Sequence, residues 1–379
     1  MELAHAGSND STPDRVNTVV VGAGQAGLAA GYYLTRLGVS FSVLDAHERV
    51  GDPWRKRWDS LRLFTPARYD GLPGMPFPGP GGHYPSKDEV ADYLESYARH
   101  MELPIRLGVE VHSLRREGRC FEVRAGGNRI FADNVIVASG FDHRPRIPDF
   151  AADLDEDIVQ LHSKDYRNPS QLRQGGVLVV GAGNSGAEIS VEVASAGHQT
   201  WLSGRDPGQE PTAAGSVPDR LLTPLMWFAA TRVIRVDRRI GRKVRDQFLD
   251  PPRGIPRGRV RRKDIEAAGV EWVPRTAGAR EGVPYLADGR GLDVSNVVWC
   301  TGFTPGFDWI DLPLSTSHGI PEHERGVIPS VPGLYFLGLY FQYSLSSPLV
   351  GGVGSDARHV VEHLASERVA AEGDESVVR

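Results

Sequence analysis

Apolar residues come in short runs that end at glycine or at a polar residue, the pattern of strands buried on both faces of a parallel sheet. Residues 18–21 (Thr-Val-Val-Val) and 41–44 (Phe-Ser-Val-Leu) are two such runs, and residues 28–37 between them carry a helical pattern. Residues 177–180 (Val-Leu-Val-Val) and 199–202 repeat the scheme, with a helix to about Ala196 between them. Further strands are predicted at 110–114, 120–124, 134–138, 270–273, 297–299 and 333–338. Gly126-Gly127-Asn128 supplies a hairpin turn. Ser86 and Glu89 form a capping box that opens a helix to about His100, 263–268 is a short helix, and Ser355 opens the last helix, to about Ser366.

Each strand–helix pair is joined by a glycine turn of one spacing. Gly22-Ala23-Gly24-Gln25-Ala26-Gly27 and Gly181-Ala182-Gly183-Asn184-Ser185-Gly186 both read G-x-G-x-x-G. The first glycine permits the tight turn, the second lets backbone approach a pyrophosphate, and the third lets the helix pack on its strand. The helix N-terminus then offers free N–H groups to the phosphates. The strand at 41–44 ends in Asp45, near the spacing expected for a ribose-binding carboxylate. The strand at 199–202 ends instead in Ser203-Gly204-Arg205, where an arginine suits a 2′-phosphate that a carboxylate would repel. The second nucleotide therefore reads as NADPH. Two such units in one chain imply two dinucleotides, and the usual chemical reason is hydride transfer from a nicotinamide to a flavin.

Composition narrows this picture. The 379 residues are 40% hydrophobic and 24% charged, as in an ordinary globular protein of two or three domains. A net charge of −5 gives no global reason to bind nucleic acid. No apolar run reaches the roughly 18 residues of a membrane span. The polar start has no apolar core of a secretory signal, so residues 1–14 read as a disordered leader and 370–379 as a disordered, solvated tail. Cys120 and Cys300 lie far apart with no C-x-x-C, so neither a disulfide framework, a metal site nor dithiol redox chemistry is expected, and the cytoplasm is the expected compartment. Residues 218–249 mix apolar residues with many arginines and read as a lid or a dimer face; membrane contact is not expected, and a homodimer stays open. The long connection from Val50 to Gly82 holds Trp54 and Trp58 and is of the size that is usually functional.

The predicted fold is α/β, with two Rossmann-like dinucleotide-binding domains, the second inserted into the first. Pro145 and Pro148 mark the exit from the first domain. Ser139-Gly140-Phe141 and Thr301-Gly302-Phe303 echo each other at the two crossings. The expected boundaries are 15–147 with 303–369 for an FAD domain, and 148–302 for an NADPH domain.

These elements resemble those of the single-component flavin-containing monooxygenases, which include Baeyer–Villiger and N-hydroxylating relatives. The likeness covers residues 15–366 and is nearest to bacterial members labelled as flavoproteins of metal or potassium transport. The resemblance implies that Gly22, Gly24, Gln25, Ala26 and Gly27 hold the FAD pyrophosphate, with Asp45 on the ribose and His47 and Val111 at the adenosine. Trp54, Thr65, Gly338, Gln342 and Leu345 would surround the rest of the flavin. Gly181, Gly183, Asn184, Ser185 and Gly186 would hold the NADPH pyrophosphate, and Ser203 and Arg205 its 2′-phosphate. It further implies oxygenation of an amine, sulfide or ketone by molecular oxygen through a flavin C4a-peroxide, with no acid or base side chain assigned. Of the family signature ahead of the second glycine turn, His162 and Tyr166 fit, whereas Glu156 and Ile158 stand where Phe and Gly are expected. Two alternatives share the cofactor residues: an NADPH:acceptor oxidoreductase without oxygenation, and a regulator that binds nucleotides without turnover.

Overall fold

A computed structural model describes residues 14–140, 144–249, 256–317 and 319–377. Phe141, residues 251–255 and the first thirteen residues of the expected leader lie outside the described residues.

In chain order, β1 (Asp14–Val21), α1 (Gln25–Arg36) and β2 (Phe41–Leu44) form the first unit, followed by the short α2 (Asp52–Arg55) and α3 (Lys87–His100). The strands β3 (Ile105–Arg106), β4 (Val111–Glu117), β5 (Cys120–Ala125) and β6 (Asn128–Val137) complete the first part of a sheet. A short β7 (Arg144–Pro145) leads to β8 (Val159–His162) and β9 (Val177–Val180), then α4 (Asn184–Ser195) and β10 (Thr200–Ser203). Next come α5 (Val217–Phe228), a π-helical turn over Ala229–Val233, α6 (Arg239–Leu249) and α7 (Arg262–Ala267). The strands β11 (Glu271–Val273), β12 (Thr276–Arg280), β13 (Val283–Leu286) and β14 (Asn296–Trp299) precede β15 (Phe303–Thr304) and the small β16 (Thr316–Ser317) and β17 (Ile320–Pro321). The chain closes with β18 (Leu334–Phe336) and α8 (Gly354–Val377).

Two main sheets result, beside the two-stranded pairs β12–β13, β7–β15 and β16–β17. The first has the order β3-β2-β1-β6-β5-β4, with β18 also paired to β6. β18 runs parallel to β6, Leu334 opposite Val135 and Phe336 opposite Val137. The second has the order β11-β10-β9-β14-β8 and is parallel throughout. Their central strands β2, β9, β10, β14 and β18 and the last residues of β1 and β6 are buried on both faces, which is why these read as mainly apolar runs. Val20, Ile136 and Tyr335 pack with α1, α3 and α8, while Val19, Val21, Val135 and Phe336 fill the opposite core. In the second sheet Val177, Val179 and Val298 pack with Ala187, Ile189 and Val193 of α4, and Leu178, Val180 and Trp299 face the other way.

The two crossings between the sheets lie side by side. β7 and β15 pair antiparallel, Arg144 opposite Thr304 and Pro145 opposite Phe303. Arg146 N–H donates to Gly302 O at 2.9 Å, and Thr301 Oγ1 donates to Arg146 O.

Three element bounds differ from the sequence reading. β1 already begins at Asp14, the last residue of the expected leader. β6 reaches back to Asn128, so the hairpin strand and the buried strand are one element. α8 runs on to Val377, through most of the expected disordered tail. Residues 366–377 contain no proline and include three Glu and two Ala, which favour a helix, so polarity there is no helix stop.

Candidate active site

The two glycine turns are built alike, contact for contact. A Cβ placed on Gly22 (φ +106°) would lie 2.6 Å from Ala138 O, and one on Gly181 (φ +109°) 2.2 Å from Cys300 O. Each first glycine is thus pressed on the end of the neighbouring strand, β6 or β14. A Cβ on Gly27 would meet Gly22 O at 1.9 Å, and one on Gly186 would meet Gly181 O at 1.7 Å. The first and third glycines are therefore demanded by the fold itself. The middle ones are not: a Cβ on Gly24 or Gly183 meets nothing within 4 Å.

Those open sides lie at the N-termini of α1 and α4, whose first turns carry no acidic residue and no side-chain cap. The first intrahelical bonds run from Leu28 N to Gly24 O and from Ala187 N to Gly183 O, each 3.0 Å. The earlier N–H groups are left for a ligand. Open space, unpaired donors and the positive end of the helix dipole together fit a pyrophosphate at each site. Gly338 approaches the first of these, since its Cβ would stand 3.2 Å from Ala26 Cβ. Gln25 Nε2 donates to Pro348 O at 3.3 Å and ties the turn to the loop before α8.

Asp45 sits directly after β2 and is buried. Its Oδ2 accepts from Ala23 N at 2.6 Å, and its Oδ1 from His47 N at 2.8 Å, with His47 Nδ1 also at 2.8 Å. Burial works to raise this carboxyl, but the bonds from His47 and Ala23 outweigh it and hold it below the ordinary Asp range. It is an ionised acceptor fastened to the glycine turn. Val109 N donates to Asp45 O at 2.8 Å, which brings the start of β4, with Val111, alongside.

The second unit has no carboxylate there. Gly22 N bonds Leu44 O and Gly181 N bonds Ser203 O, both at 2.7 Å, so Ser203 matches Leu44 and Gly204 matches Asp45. A Cβ on Gly204 would lie 3.0 Å from Ala182 N, the counterpart of Ala23 N. This corrects the expected role of Ser203. Its side chain points into the core, meeting Pro274 O at 3.0 Å, Thr276 Oγ1 at 2.7 Å and Thr276 N at 2.8 Å. With no exposed surface, it is a structural hydroxyl and not a phosphate ligand. Arg205 is exposed and makes no ion pair among the described residues. The acid beside it, Asp206, is already paired with the buried Arg257 at 2.9 Å. Arg257 and Arg262 lie over the Trp272 ring at 4.8 and 5.4 Å, and Trp272 Nε1 donates to Gly204 O at 3.0 Å. Arginines thus gather around the end of β10. Nothing in the sequence pattern singled out Arg257, which lies in a Pro/Arg/Gly-rich stretch. Asn184 Oδ1 accepts from Gly258 N at 3.0 Å and fixes that stretch against α4.

Between the two units, Trp54 packs against the cores of both. Thr65 Oγ1 donates to Asp70 Oδ1 at 2.6 Å. Burial pushes the Asp70 carboxyl up to about 7 against that bond, and its Oδ2 is buried without a partner among the described residues. A second correction concerns Gln342. It is fully buried, its Oε1 accepting from Leu339 N and its Nε2 donating to Arg325 O, both at 3.3 Å. It shapes the loop and does not face a ligand. Leu345 is half-buried and bonds through its N–H to Ile234 O at 3.1 Å.

That last contact belongs to a strap. After α5 the chain crosses from the second unit onto the first: Trp227 stacks on Tyr69 with centroids 5.0 Å apart, Arg235 bridges Ser344, and Val236 N donates to Tyr343 O at 2.8 Å. Asp219 anchors its start, accepting from Tyr84 Oη at 2.5 Å, Gly215 N at 2.9 Å and Thr212 Oγ1 at 3.0 Å. Burial and the neighbouring Asp219 push the Tyr84 phenol up to about 12.

His162 is likewise structural. Its Nδ1 accepts from Lys164 N at 3.1 Å, so its Nε2 carries the proton and donates to Gly302 O at 3.1 Å. Burial lowers its pKa and keeps it neutral. Tyr166 is fully buried and donates to Glu192 at 2.9 Å. Ile158 fills the core behind the second sheet. Cys120 and Cys300 are both free, and burial pushes the Cys300 thiol far above its usual range, so it offers no thiolate. No cluster of metal-ligating side chains occurs among the described residues. None of their helices is long and apolar enough to cross a membrane.

Comparison with known proteins agrees with this construction. A family model described as pyridine nucleotide-disulphide oxidoreductase matches residues 19–235. The chain is 41% identical over 358 residues to an oxidoreductase designated CzcO-like from Geobacillus kaustophilus, covering 92% of this chain and 98% of that one. It is 37% identical over 179 residues to the rice indole-3-pyruvate monooxygenase YUCCA1, covering 46% and 44%. A double-mutant flavin monooxygenase from Stenotrophomonas maltophilia superposes with a TM-score of 0.75 at 31% identity, covering 93% of this chain and 99% of that one. The chain thus belongs to the pyridine nucleotide-disulphide oxidoreductase family, among its flavin-dependent oxidoreductases and monooxygenases.

Proposed function

We propose that the chain is an NADPH- and FAD-dependent monooxygenase that places one atom of molecular oxygen on a small organic amine, sulfide or ketone. The observation that carries this is the pair of matched glycine turns, each with its middle glycine open to a ligand, in a chain whose two cysteines, Cys120 and Cys300, are both free and form no C-x-x-C pair to receive electrons. The Stenotrophomonas flavin monooxygenase, similar over nearly its whole length, supports the same reading.

In this reading residues 15–147 with 303–369 bind FAD and residues 148–302 bind NADPH. The N–H groups of Gln25, Ala26 and Gly27 hold the FAD pyrophosphate, and the ionised Asp45 accepts from the ribose hydroxyls. His47 and Val111 lie at the adenosine, and Trp54, Thr65, Gly338 and Leu345 border the rest. The N–H groups of Asn184, Ser185 and Gly186 hold the second pyrophosphate, and Arg205 forks onto the 2′-phosphate. Bound flavin supplies the hydride acceptance and the oxygen chemistry. The strap from Trp227 to Val236 contributes exclusion of water between the two units. No residue is assigned as acid or base.

The test is turnover with isotopically labelled oxygen over a panel of amines, sulfides and ketones, with NADPH and oxygen consumption followed together. Label in a product, with substrate-dependent oxygen uptake, is the expected result. NADPH oxidation with no label in any product would favour the acceptor oxidoreductase, for which Glu156 and Ile158, in place of the family's Phe and Gly, already speak.

A further inference from the structure

α5 carries its apolar residues on the wrong side for a core helix. Val217, Leu221, Leu225 and Phe228 follow at i, i+4, i+8 and i+11, which places them on one stripe. They are 70%, 74%, 63% and 56% exposed. The opposite side of the helix makes the contacts with the protein: Asp219 is buried, Thr223 Oγ1 bonds to it, and Trp227 stacks on Tyr69. The stripe is therefore not a core face left open by a missing segment of packing, because the helix is already seated through its other face. Ile240, at the start of α6, is a further apolar residue at 52% exposure.

The charges along the same stretch are one-sided. Residues 217–249 hold eight arginines and lysines and three aspartates, in a chain whose net charge is −5. Each aspartate is already committed: Asp219 to its buried hydrogen bonds, Asp237 to Arg235, and Asp246 to Arg245 at 3.0 Å. Arg220, Arg232, Arg238, Arg239, Arg242 and Lys243 are exposed and make no ion pair among the described residues. They flank the stripe along the chain, Arg220 within α5, Arg232 in the π turn that continues it, and the other four around the start of α6.

An exposed apolar stripe flanked by unpaired cations is the pattern of a helix that lies in the headgroup plane of an anionic bilayer. A second copy of the chain is the poorer occupant, since it would bring the same cations face to face. We infer that α5 and the start of α6 form a peripheral docking surface for anionic phospholipid, with Val217, Leu221, Leu225 and Phe228 entering the acyl boundary and the six cations resting on the phosphates. The strap that follows α5 reaches the loop at Tyr343–Leu345, so docking turns the junction between the two units toward the bilayer.

Sedimentation of the FAD-loaded full chain with vesicles tests this. Vesicles of equal parts phosphatidylglycerol and phosphatidylcholine are compared with phosphatidylcholine alone, at low and high salt. Binding to the mixed vesicles, at least about tenfold weaker on the neutral ones and weakened by salt, is expected. Leu221→Asp with Leu225→Asp, and separately Arg239→Glu with Lys243→Glu, should each lower the partition coefficient about tenfold or more while FAD content stays at the parent level. Both pairs alter exposed side chains, so they leave the fold intact. The inference is overturned if the mixed vesicles leave the protein in the supernatant, or if the aspartate pair binds as the parent does. It is overturned equally if the parent is a dimer in lipid-free buffer that the aspartate pair converts to a monomer, because a second copy then covers the stripe.

Discussion

Gly24 and Gly183 are positions where a side chain can change binding without touching the fold. Both have negative φ and open space where a Cβ would go. Gly24→Val should therefore fold and purify colourless, whereas Gly183→Val should keep FAD and lose NADPH affinity; absorbance and cofactor titration read both out. A Gly24→Val protein that stays yellow would show that the pyrophosphate lies elsewhere. Arg205→Ala should weaken NADPH binding by about 1.5–3 kcal/mol and leave NADH unchanged, since only NADPH offers a phosphate to the guanidinium. Equal losses for both cofactors would remove Arg205 from that role. Asp70 makes a prediction in pH. Its carboxyl titrates near 7 when folded and near 3.8 when unfolded, so the folded chain binds the extra proton between those values. Stability of the flavin-free protein should fall as pH rises through that window, and Asp70→Asn should gain up to about 4 kcal/mol on the parent at pH 8 and nothing at pH 4. Thermal melts across pH measure it. The glycine spacing and Asp45 could be read from the chain because sterics and charge impose them locally. The inward turn of Ser203, expected beside Arg205 at the 2′-phosphate, could not be read in the same way, because it depends on Pro274 and Thr276, about seventy residues further along the chain.

Among whole elements, α3 and α5 stand at opposite ends of legibility. Ser86 accepts from Glu89 N at 3.3 Å, and Glu89 accepts from Ser86 N at 2.7 Å, so the capping box seen in the chain is the cap in the structure. α5 could not be read in the same way. Pattern reading assumes that the apolar stripe faces inward, and here Asp219, Thr223 and Trp227 face inward instead. Its hold on the first unit rests on the Tyr84 phenol at Asp219 and on the stack of Trp227 on Tyr69. Tyr84→Phe should cost roughly 1.5 kcal/mol, the worth of a hydrogen bond to a charged acceptor. Amide exchange in α5 should then quicken while exchange in α4 stays as it was. Unchanged exchange in α5 would mean that Thr212 and Gly215 suffice to hold Asp219.

For the molecule as a whole, the two sheets are joined by the paired crossings β7 and β15, by the strap from Trp227 to Val236, and by the segment from Trp54 to Leu61, where Trp54 packs on both cores and Asp59 bonds Arg167 and Asn168. With these intact, calorimetry should show one cooperative transition. Trp227→Ala combined with Tyr84→Phe loosens the strap and should broaden that transition or split it in two, only one part responding to added FAD. The echo between Ser139-Gly140 and Thr301-Gly302 made the crossings visible in the chain, whereas the strap is stitched by residues more than a hundred positions apart and leaves no local trace. The placement of β18 also dictates an order of events at the ribosome. The second sheet is drawn from one continuous stretch, residues 159–299, and can close as soon as that stretch has emerged. The first sheet cannot: the edge of β6 at Val135–Val137 waits for Leu334–Phe336, about two hundred residues later. Nascent chains should thus mature from the middle outward, with the inserted unit compact while β6 is still bare on one side. Aggregation during synthesis should then be nucleated at that bare edge, and a chain truncated after β15 should be captured by chaperones through β6 rather than through β14.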